Sequence, residues 1–301
     1  MACRVMSVLV LGATGLLGTE VMAVLQERGI RALGAARSGA DLQIDVTNQM
    51  GLFRLLCQTD ATAVINCVAN VNLAACEADQ EMSYRVNAAP VAVLAAWCQQ
   101  TEGRLIHVST DQFFRGEPRE KHDETALVHM INAYGASKFT AETMAREAPN
   151  SLVVRTNICG AKKGFGRWAI DSLTNRTPIG AFTDYFTSTM HVRACAEGLV
   201  DLIATGETGV INLASRDVSS KEEFMQALAA ELGINPDWMV QSSARDMTPE
   251  RALSCGLDVS RAEAVLGRAM PTLSDTVRSL VHEDAQCVTT TNSASATVRS
   301  A

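Results

Sequence analysis

Short apolar runs alternate with longer segments of helical periodicity through the first half of the chain. The apolar runs predict buried strands, and the segments between them place apolar residues three or four positions apart, as one face of a helix does. The predicted strands are Val5–Leu11, Ala32–Ala36, Ala63–Cys67, Arg104–Val108, Leu152–Arg155 and, later in the chain, Val210–Leu213. The predicted helices are Leu17–Arg28, Asn48–Gln58, Met82–Gln99, Ala136–Glu147 and Ala194–Ala204. This order is typical of the α/β class, with a doubly wound parallel sheet covered by helices.

The second half of the chain departs from this alternation in two stretches. Residues 161–191 are rich in Gly, Thr and aromatic residues, as binding loops often are, and residues 216–284 return to helices, best defined at Lys221–Leu232 and Ser274–His282. We therefore predict a sheet domain of residues 1–160 plus about 192–215, and a smaller lobe of about 161–191 and 216–284. Residues 285–301 contain no aromatic residue and are rich in Ser, Thr and Ala, which predicts a disordered tail.

Composition and charge narrow the classes of function. The chain has 301 residues, 47% of them hydrophobic, and its 26 Lys and Arg against 33 Asp and Glu give a net charge of −7. This balance argues against nucleic acid or an anionic membrane surface as the main partner. No apolar run approaches the roughly 20 residues of a membrane helix, and we expect no signal peptide. Nine cysteines without a C-x-x-C pair predict reduced thiols, a cytoplasmic location and no metal site.

A glycine-rich loop lies between the first predicted strand and the first predicted helix. It reads Gly12-Ala13-Thr14-Gly15-Leu16-Leu17-Gly18. Glycine permits a tight turn and a close approach of the backbone to a pyrophosphate, while the helix N-terminus offers free N–H groups. At this position in an alternating chain, the loop predicts a dinucleotide site formed by Gly12, Thr14, Gly15, Leu16, Leu17 and Gly18.

The residues at the end of the second predicted strand would contact the adenosine ribose of such a dinucleotide, so their type distinguishes NAD from NADP. An NAD site usually carries an acid there, whereas an NADP site carries a cation for the 2′-phosphate. Here Arg37 and Ser38 follow the strand, and Asp41 arrives only beyond Gly39. Because a guanidinium can bind a phosphate through two hydrogen bonds, we predict NADPH rather than NADH. Asp45, with Val46 next to it, is expected near the adenine.

A tyrosine and a lysine are spaced for proton transfer. Tyr134 and Lys138 are four residues apart, so on a helix they share a face. A nearby ammonium would lower the pKa of the phenol and make it useful as an acid or base. Ser109-Thr110-Asp111 ends the predicted strand 104–108, and hydroxyls at that end of a parallel strand lie at the ligand crevice. One of these hydroxyls is expected to bind a substrate carbonyl while Tyr134 donates a proton. His107, inside that strand, is expected to be a hydrogen-bonded sheet residue.

Together these motifs resemble the extended short-chain dehydrogenase/reductase family, and within it the dTDP-4-dehydrorhamnose reductase branch. Residues 65–69, 76–77, 86–88, 109–116, 155–157 and 257–271 follow the order and spacing of that branch, so the resemblance spans roughly residues 5 to 282. It implies a Rossmann-type domain with a smaller C-terminal substrate lobe. It further implies catalytic roles for Thr110, Tyr134 and Lys138. Val68, Ala69, Asn87, Val108, Tyr134 and Lys138 would contact the cofactor, and Ser109, Asp111, Gln112 and Asn157 would contact the substrate.

Some positions depart from that branch. Gln112 stands where tyrosine is usual, Arg115 where an acidic or small residue is usual, and residues 187–192 lack the usual Ser-Pro-Thr pattern. We therefore expect the NADPH-dependent reduction of a nucleotide-linked 4-keto sugar, with a substrate that differs from dTDP-4-dehydrorhamnose. A sugar 4,6-dehydratase is disfavoured, because the amide of Gln112 cannot exchange a proton as the glutamate of those enzymes does.

Two other interpretations stay open. A nucleotide-sugar 4-epimerase needs the same tyrosine and lysine. An NADP-binding regulatory subunit like the beta subunit of methionine adenosyltransferase resembles the same branch and would tolerate altered substrate positions. A homodimer is compatible with each of these interpretations.

Overall fold

The computed structural model describes residues 6–298, with the side chains of residues 6–287. Its strands are β1 (Ser7–Leu11), β2 (Arg31–Ala36), β3 (Leu42–Gln43), β4 (Ala63–Asn66), β5 (Arg104–Val108), β6 (Lys121–His122), β7 (Ser151–Arg155), β8 (Ile158–Cys159), β9 (Ile179–Phe182), β10 (Phe186–Thr187), β11 (Met190–His191), β12 (Gly209–Asn212), β13 (Ser219–Ser220), β14 (Met239–Ser242) and β15 (Ser254–Leu257). Its helices are α1 (Leu16–Glu27), α2 (Gln49–Gln58), α3 (Leu73–Ala78), α4 (Gln80–Asn87), α5 (Ala89–Thr101), α6 (Ala133–Arg146), α7 (Phe165–Thr174), α8 (Val192–Ile203), α9 (Lys221–Glu231), α10 (Ser260–Leu266) and α11 (Leu273–Val298).

A seven-stranded parallel sheet forms the centre of the molecule. Its strand order is β12-β7-β5-β4-β1-β2-β3, and each neighbouring pair is parallel. The chain moves outward from β1 through β2 to β3 and then returns to β4 on the other side of β1. This reversal opens a crevice at the carboxyl ends of β1 and β4, where ligands bind in such sheets. The predicted doubly wound, Rossmann-type α/β fold is confirmed.

Alternate strand residues build two cores, one on each face of this sheet. Val8 and Val10 pack with α1 and α8, whereas Leu9 and Leu11 face the opposite core with α2, α5 and α6. Because both faces are covered by helices, the strands are apolar without a polar alternation, which is why they stand out in the sequence. A third cluster, separate from both, joins α7, β9, α9 and α11.

Three of the predicted stretches differ in kind from what the structure shows. The predicted helix 82–99 is divided at Ala88 into α4 and α5, because Pro90 has no N–H to continue the hydrogen bonds of the first helix. Helix α7 lies inside the stretch 161–191 that was expected to be a loop. Helix α11 continues to Val298, so residues 285–298 are helical where a disordered tail was expected, and residues 299–301 of that predicted tail lie outside the described residues. Val5 of the first predicted strand lies outside the described residues.

A buried ion pair fixes α6 against the sheet. At the end of β7, Arg155 donates to Glu142 of α6 from Nε at 3.0 Å and from Nη2 at 2.8 Å, and their side chains are 3% and 1% exposed. The guanidinium also lies over the rings of Phe113 and Phe114, 5.5 and 5.7 Å from their centroids. One cation therefore connects β7, α6 and the loop that follows β5.

Removing one partner of this pair should destabilise the protein strongly. Glu142→Gln keeps the side-chain volume but leaves the Arg155 guanidinium buried without a counter-charge, so we expect the free energy of unfolding to fall by about 3–5 kcal/mol. The control is Glu250→Gln, which breaks the exposed pair between Arg115 and Glu250 and should cost at most about 1 kcal/mol. Urea unfolding measures both values. Equal losses in the two variants would contradict the anchoring role of the buried pair.

Candidate active site

The glycine loop has the geometry of a phosphate cradle. Gly12 has a φ of +77°, and its N–H donates to the carbonyl of Ala35 at 2.8 Å. A Cβ on Gly18 would lie only 2.1 Å from the Gly12 carbonyl oxygen, so this position requires glycine. At the N-terminus of α1, no described side chain caps the helix and the first turn contains no acid. The N–H groups there are suited to an anion, as the sequence predicts.

The end of β2 offers a cation rather than a free acid. Arg37 and Ser38 are both exposed there. The nearby carboxylate of Asp41 accepts the N–H of Gly34 at 2.8 Å and is turned back onto the strand. Asp45 accepts from the backbone and the hydroxyl of Thr47, and these bonds, together with the charge of Arg37, hold the pKa of its carboxyl below the usual range. This surface therefore suits a phosphate better than a ribose hydroxyl.

The wall after β4 carries Val68 and Ala69, both half-buried at the crevice. Asn87 lies behind this wall with its side chain already engaged. Its Oδ1 accepts the N–H of Asn70 at 2.7 Å, and its Nδ2 donates to the carbonyl of Asn70 and to the Ser137 hydroxyl. In this structure Asn87 holds the loop after Ala69 against α6, so its direct contact with a cofactor stays a prediction.

Thr110, Tyr134 and Lys138 meet at the carboxyl end of β5. The N-cap residue Asn132 starts α6 by accepting the N–H of Gly135 at 2.8 Å, which places Tyr134 in the first turn. Tyr134 is 6% exposed and shares a side-chain hydrogen bond with Thr110. Lys138 is 1% exposed and donates to the carbonyl of Val108 at 2.7 Å. The spacing prediction is thus right about the helix face that these residues share.

The expected effect of Lys138 on the phenol is wrong for this structure. Burial raises the pKa of Tyr134 to about 12, with Thr110 opposing the shift and Asp111 and Cys76 adding to it. The ammonium of Lys138 points to the carbonyl of Val108 instead, and burial lowers the pKa of Lys138 to about 8. Desolvation outweighs the i,i+4 proximity because both groups lie out of water. Tyr134 is consequently a protonated phenol at neutral pH.

A polar network on the other side of Thr110 contains the remaining predicted substrate residues. Asp111 accepts from Asn157 at 2.6 Å and from Nε2 of Gln112 at 3.0 Å. The same Gln112 nitrogen lies 2.9 Å from the Tyr185 hydroxyl. Among the described residues, the hydroxyl of Ser109 and Oε1 of Gln112 are buried without a hydrogen-bond partner. Two unpaired polar atoms just after β5 could accept or donate hydrogen bonds to a ligand, and their contact with substrate stays a prediction.

Sequence reasoning missed Tyr185 and Lys221. The ammonium of Lys221 donates to the hydroxyls of Thr187 and Thr189 at 3.1 and 3.3 Å, and Thr189 in turn donates to Oδ1 of Asn157 at 2.8 Å. The sequence contains one feature that could have identified Lys221. A lysine in the first turn of a helix opposes the helix dipole, and such a local conflict often marks a functional position. Nothing local pointed to Tyr185.

The described part of the chain has neither a membrane-spanning helix nor a cluster of metal-ligating side chains. Residues 6–298 contain no helix that is both long and apolar enough to cross a membrane. In the same range, no group of three or more His, Cys, Asp and Glu side chains is arranged to hold a metal ion.

Comparison with known proteins gives a consistent result. The model of the RmlD substrate binding domain family matches residues 6–286. A probable low-salt glycan biosynthesis reductase, Agl14 of Haloferax volcanii, is 31% identical over 288 residues, covering 90% of this chain and 96% of that protein. The dTDP-4-keto-6-deoxy-D-glucose reductase of Streptomyces niveus is 28% identical, covering 76% and 79%. The crystal structure of a Bacillus anthracis dTDP-4-dehydrorhamnose reductase in complex with NADP superposes with a TM-score of 0.83 at 22% identity, covering 92% and 98%.

The buried carboxyl of Asp111 should make stability depend on pH. Burial raises the pKa of Asp111 despite its hydrogen bonds from Gln112 and Asn157. Ionisation therefore costs folded-state stability as the pH rises from the unfolded value of about 3.9 through the raised folded pKa. Asp111→Asn loses one hydrogen bond at every pH but cannot ionise. Relative to the parent, the variant should gain stability in urea unfolding as the pH rises from about 3.9 through the raised folded pKa.

Asp45→Asn is the control for this measurement. The pKa of Asp45 is lowered in the folded state, so the stabilisation that its carboxylate gives is lost only as the pH falls below the unfolded value of about 3.9. Above that pH, Asp45→Asn should differ from the parent by an amount that does not change with pH. A stability difference between Asp111→Asn and the parent that does not change with pH would contradict the raised pKa of Asp111.

Proposed function

This chain belongs to the RmlD substrate binding domain family, and from that premise we propose that it is an NADPH-dependent reductase of a nucleotide-activated 4-keto-6-deoxy sugar. The observation that carries the proposal is that Thr110, Tyr134 and Lys138 lie together at the carboxyl end of β5, on the same side of the sheet as the glycine loop. The relatives support the reaction class, because their names describe reductases of glycan or dTDP-sugar biosynthesis. The nucleotide-sugar substrate lies, in this proposal, between the sheet domain and the lobe of residues 161–191 and 216–284.

The residues of the site divide the work of a carbonyl reduction. NADPH, when bound, supplies the hydride for C4 of the sugar. Thr110 donates a hydrogen bond to the carbonyl oxygen, and Tyr134 donates the proton that this oxygen needs once the hydride arrives. A reduction must start from a protonated phenol, and the raised pKa of Tyr134 keeps it protonated. Lys138 would hold the nicotinamide ribose. An epimerase would begin instead with the phenol as a base, for which this environment is poorly suited.

The loop residues fit an NADP cofactor. The cradle of Gly12, Gly15 and Gly18 at the N-terminus of α1 matches a pyrophosphate, and Arg37 with Ser38 matches a 2′-phosphate. A similar fold carries NADP in the Bacillus anthracis reductase. Lys163 adds a cation beside the loop, because its ammonium donates to the carbonyl of Thr14 at 3.1 Å.

The residues expected to bind the sugar, Gln112 above all, favour a substrate with a particular arrangement of hydroxyl groups. Gln112 is buried, its amide nitrogen is engaged by Asp111 and Tyr185, and its unpaired Oε1 can accept from one hydroxyl of the sugar. A site built to bond one hydroxyl rejects substrates that lack it. We therefore propose that the preferred substrate differs from dTDP-4-dehydrorhamnose in its hydroxyl pattern or in its nucleotide.

Tyr134→Phe tests the proton donor. Incubated with NADPH and a panel of nucleotide-linked 4-keto sugars, the parent should oxidise NADPH, and the variant should show a kcat lower by about 10²–10⁴-fold. NADPH affinity should change little, because the phenol adds no large contact with the cofactor. Turnover by the variant within a few-fold of the parent would remove Tyr134 from the mechanism. A parent that binds NADPH but reduces no member of the panel would favour the regulatory-subunit interpretation.

Arg37→Ala tests the choice of cofactor. The parent should bind NADPH more tightly than NADH by about 1–3 kcal/mol, the worth of a charge-assisted phosphate contact. The variant should lose this preference while its NADH affinity stays nearly unchanged, as measured by fluorescence titration of each cofactor. Arg31→Ala, at the opposite end of β2, is the matched control and should keep the preference. Equal or tighter binding of NADH by the parent would overturn the assignment.

A further inference from the structure

A fully buried histidine lies directly beside the lysine of the active site. His107 is 0% exposed, in the middle of the large sheet, one residue before the Val108 carbonyl that accepts from Lys138. The backbone of His107 is used by the pairing of β5 with β4 and β7. Its ring has no part in the reaction proposed above, although it is the titratable side chain on β5 that faces Lys138.

The neighbouring strand determines where the ring proton sits. Asn66 of β4 is the register partner of His107, and its Oδ1 accepts the N–H of Val68 at 3.1 Å. This bond fixes the orientation of the amide, so that Nδ2 of Asn66 points at Nδ1 of His107, 3.1 Å away. An amide NH₂ can only donate, and Nδ1 must therefore be the acceptor. The neutral ring then carries its proton on Nε2.

The protonated Nε2 faces the amine of Lys138. The two nitrogens are 3.4 Å apart, and Lys138 also donates to the carbonyl of Val108. Two donors cannot bond each other, so an Nε2–H finds a partner only in the lone pair of a neutral amine. When Lys138 carries a third hydrogen, this contact becomes repulsive, and the ammonium is favoured on the side away from the ring.

The other groups around Lys138 act in both directions. From α6, Glu142 stabilises the ammonium, although its carboxylate is shared with Arg155 of β7. Cys67, which follows β4, also interacts with Lys138, but burial raises the pKa of its thiol so that it stays uncharged, and Cys195 of α8 interacts with Cys67. Burial opposes the effect of Glu142 and lowers the pKa of Lys138, while both burial and Lys138 hold the pKa of His107 well below its usual value. The ring of His107 is thus a neutral, fixed donor.

We propose that His107, held by Asn66 with its proton on Nε2, is a positioning residue that favours the neutral amine of Lys138 and directs the ammonium away from the imidazole ring. In this contact the neutral amine of Lys138 accepts a hydrogen bond from Nε2–H, so the ammonium is less favoured than it would be beside a ring with a free acceptor. The proposal rests on the proposed reductase function for its consequence, but the arrangement of Asn66, His107 and Lys138 does not depend on that function.

The first test reads the ring directly. Long-range ¹H–¹⁵N NMR of the parent protein should show His107 neutral and protonated on Nε2 at neutral pH, with its signals identified by their loss in His107→Gln. If that variant does not fold, substitution of the other four histidines in turn identifies the remaining signal. A proton on Nδ1, or on both nitrogens, would overturn the proposal whether or not the protein is a reductase.

The second test exchanges donor and acceptor in the contact between Nε2 of His107 and Lys138. In Asn66→Asp, one carboxylate oxygen still accepts the N–H of Val68 and the other accepts from Nδ1, so the ring proton moves to Nδ1 and Nε2 becomes an acceptor for the ammonium. The pH above which kcat declines should then rise by about one unit, a tenfold change in proton concentration. A purely structural role would lower kcat or stability without moving this pH.

Asn150→Asp is the matched control. It adds the same charge beside Arg104, at the opposite end of the sheet, and should leave the pH profile in place. An Asn66→Asp variant whose ring proton has moved but whose profile has not would overturn the link to Lys138. If no 4-keto sugar nucleotide is reduced at all, the proposed function fails, while the NMR result still decides the state of His107.

Discussion

The buried ion pair of Arg155 and Glu142 is the interaction on which the rest of the site depends. It fixes the rotation and height of α6 on the sheet, and α6 carries both Tyr134 and Lys138. The same guanidinium packs on Phe113 and Phe114, just beyond the loop that carries Thr110. Burying two charges is costly, and a well-packed apolar pair could be equally stable. We interpret the pair as a device that gives the helix one register, since small shifts along α6 would separate the phenol from Thr110.

Desolvation determines which side chains of this site are protonated. It raises the pKa of Tyr134 and Asp111 and lowers that of Lys138 and His107, so each group is moved toward its neutral form. A single physical cause therefore gives a protonated phenol and an amine close to its titration point at the same sheet edge. This combination suits the delivery of a proton to a carbonyl oxygen that has accepted a hydride. The fixed ring of His107 contributes by geometry, through the contact with Lys138.

The parts of the structure with a strong local signal could be predicted from the sequence. Apolar runs and a glycine loop identify β1, α1 and the parallel sheet, and four-residue spacing on α6 places Tyr134 and Lys138 on one face. The direction of the pKa shift of Tyr134 could not be predicted, because it depends on burial by distant segments. The position of Tyr185 against Gln112 depends on a contact between residues 73 positions apart. Asn87 carries a family motif, but only the fold shows that its amide is engaged by Asn70 and Ser137.

In the proposed function, this site transfers a hydride from NADPH to a sugar carbonyl. The most direct measurement follows deuterium from NADPH that carries two deuterium atoms at C4 of its nicotinamide to C4 of a nucleotide-linked 4-keto-6-deoxy sugar, by mass spectrometry of the product. The account predicts one deuterium in the sugar for each NADPH oxidised. A protein that binds NADPH tightly and transfers no deuterium to any 4-keto sugar nucleotide would contradict it.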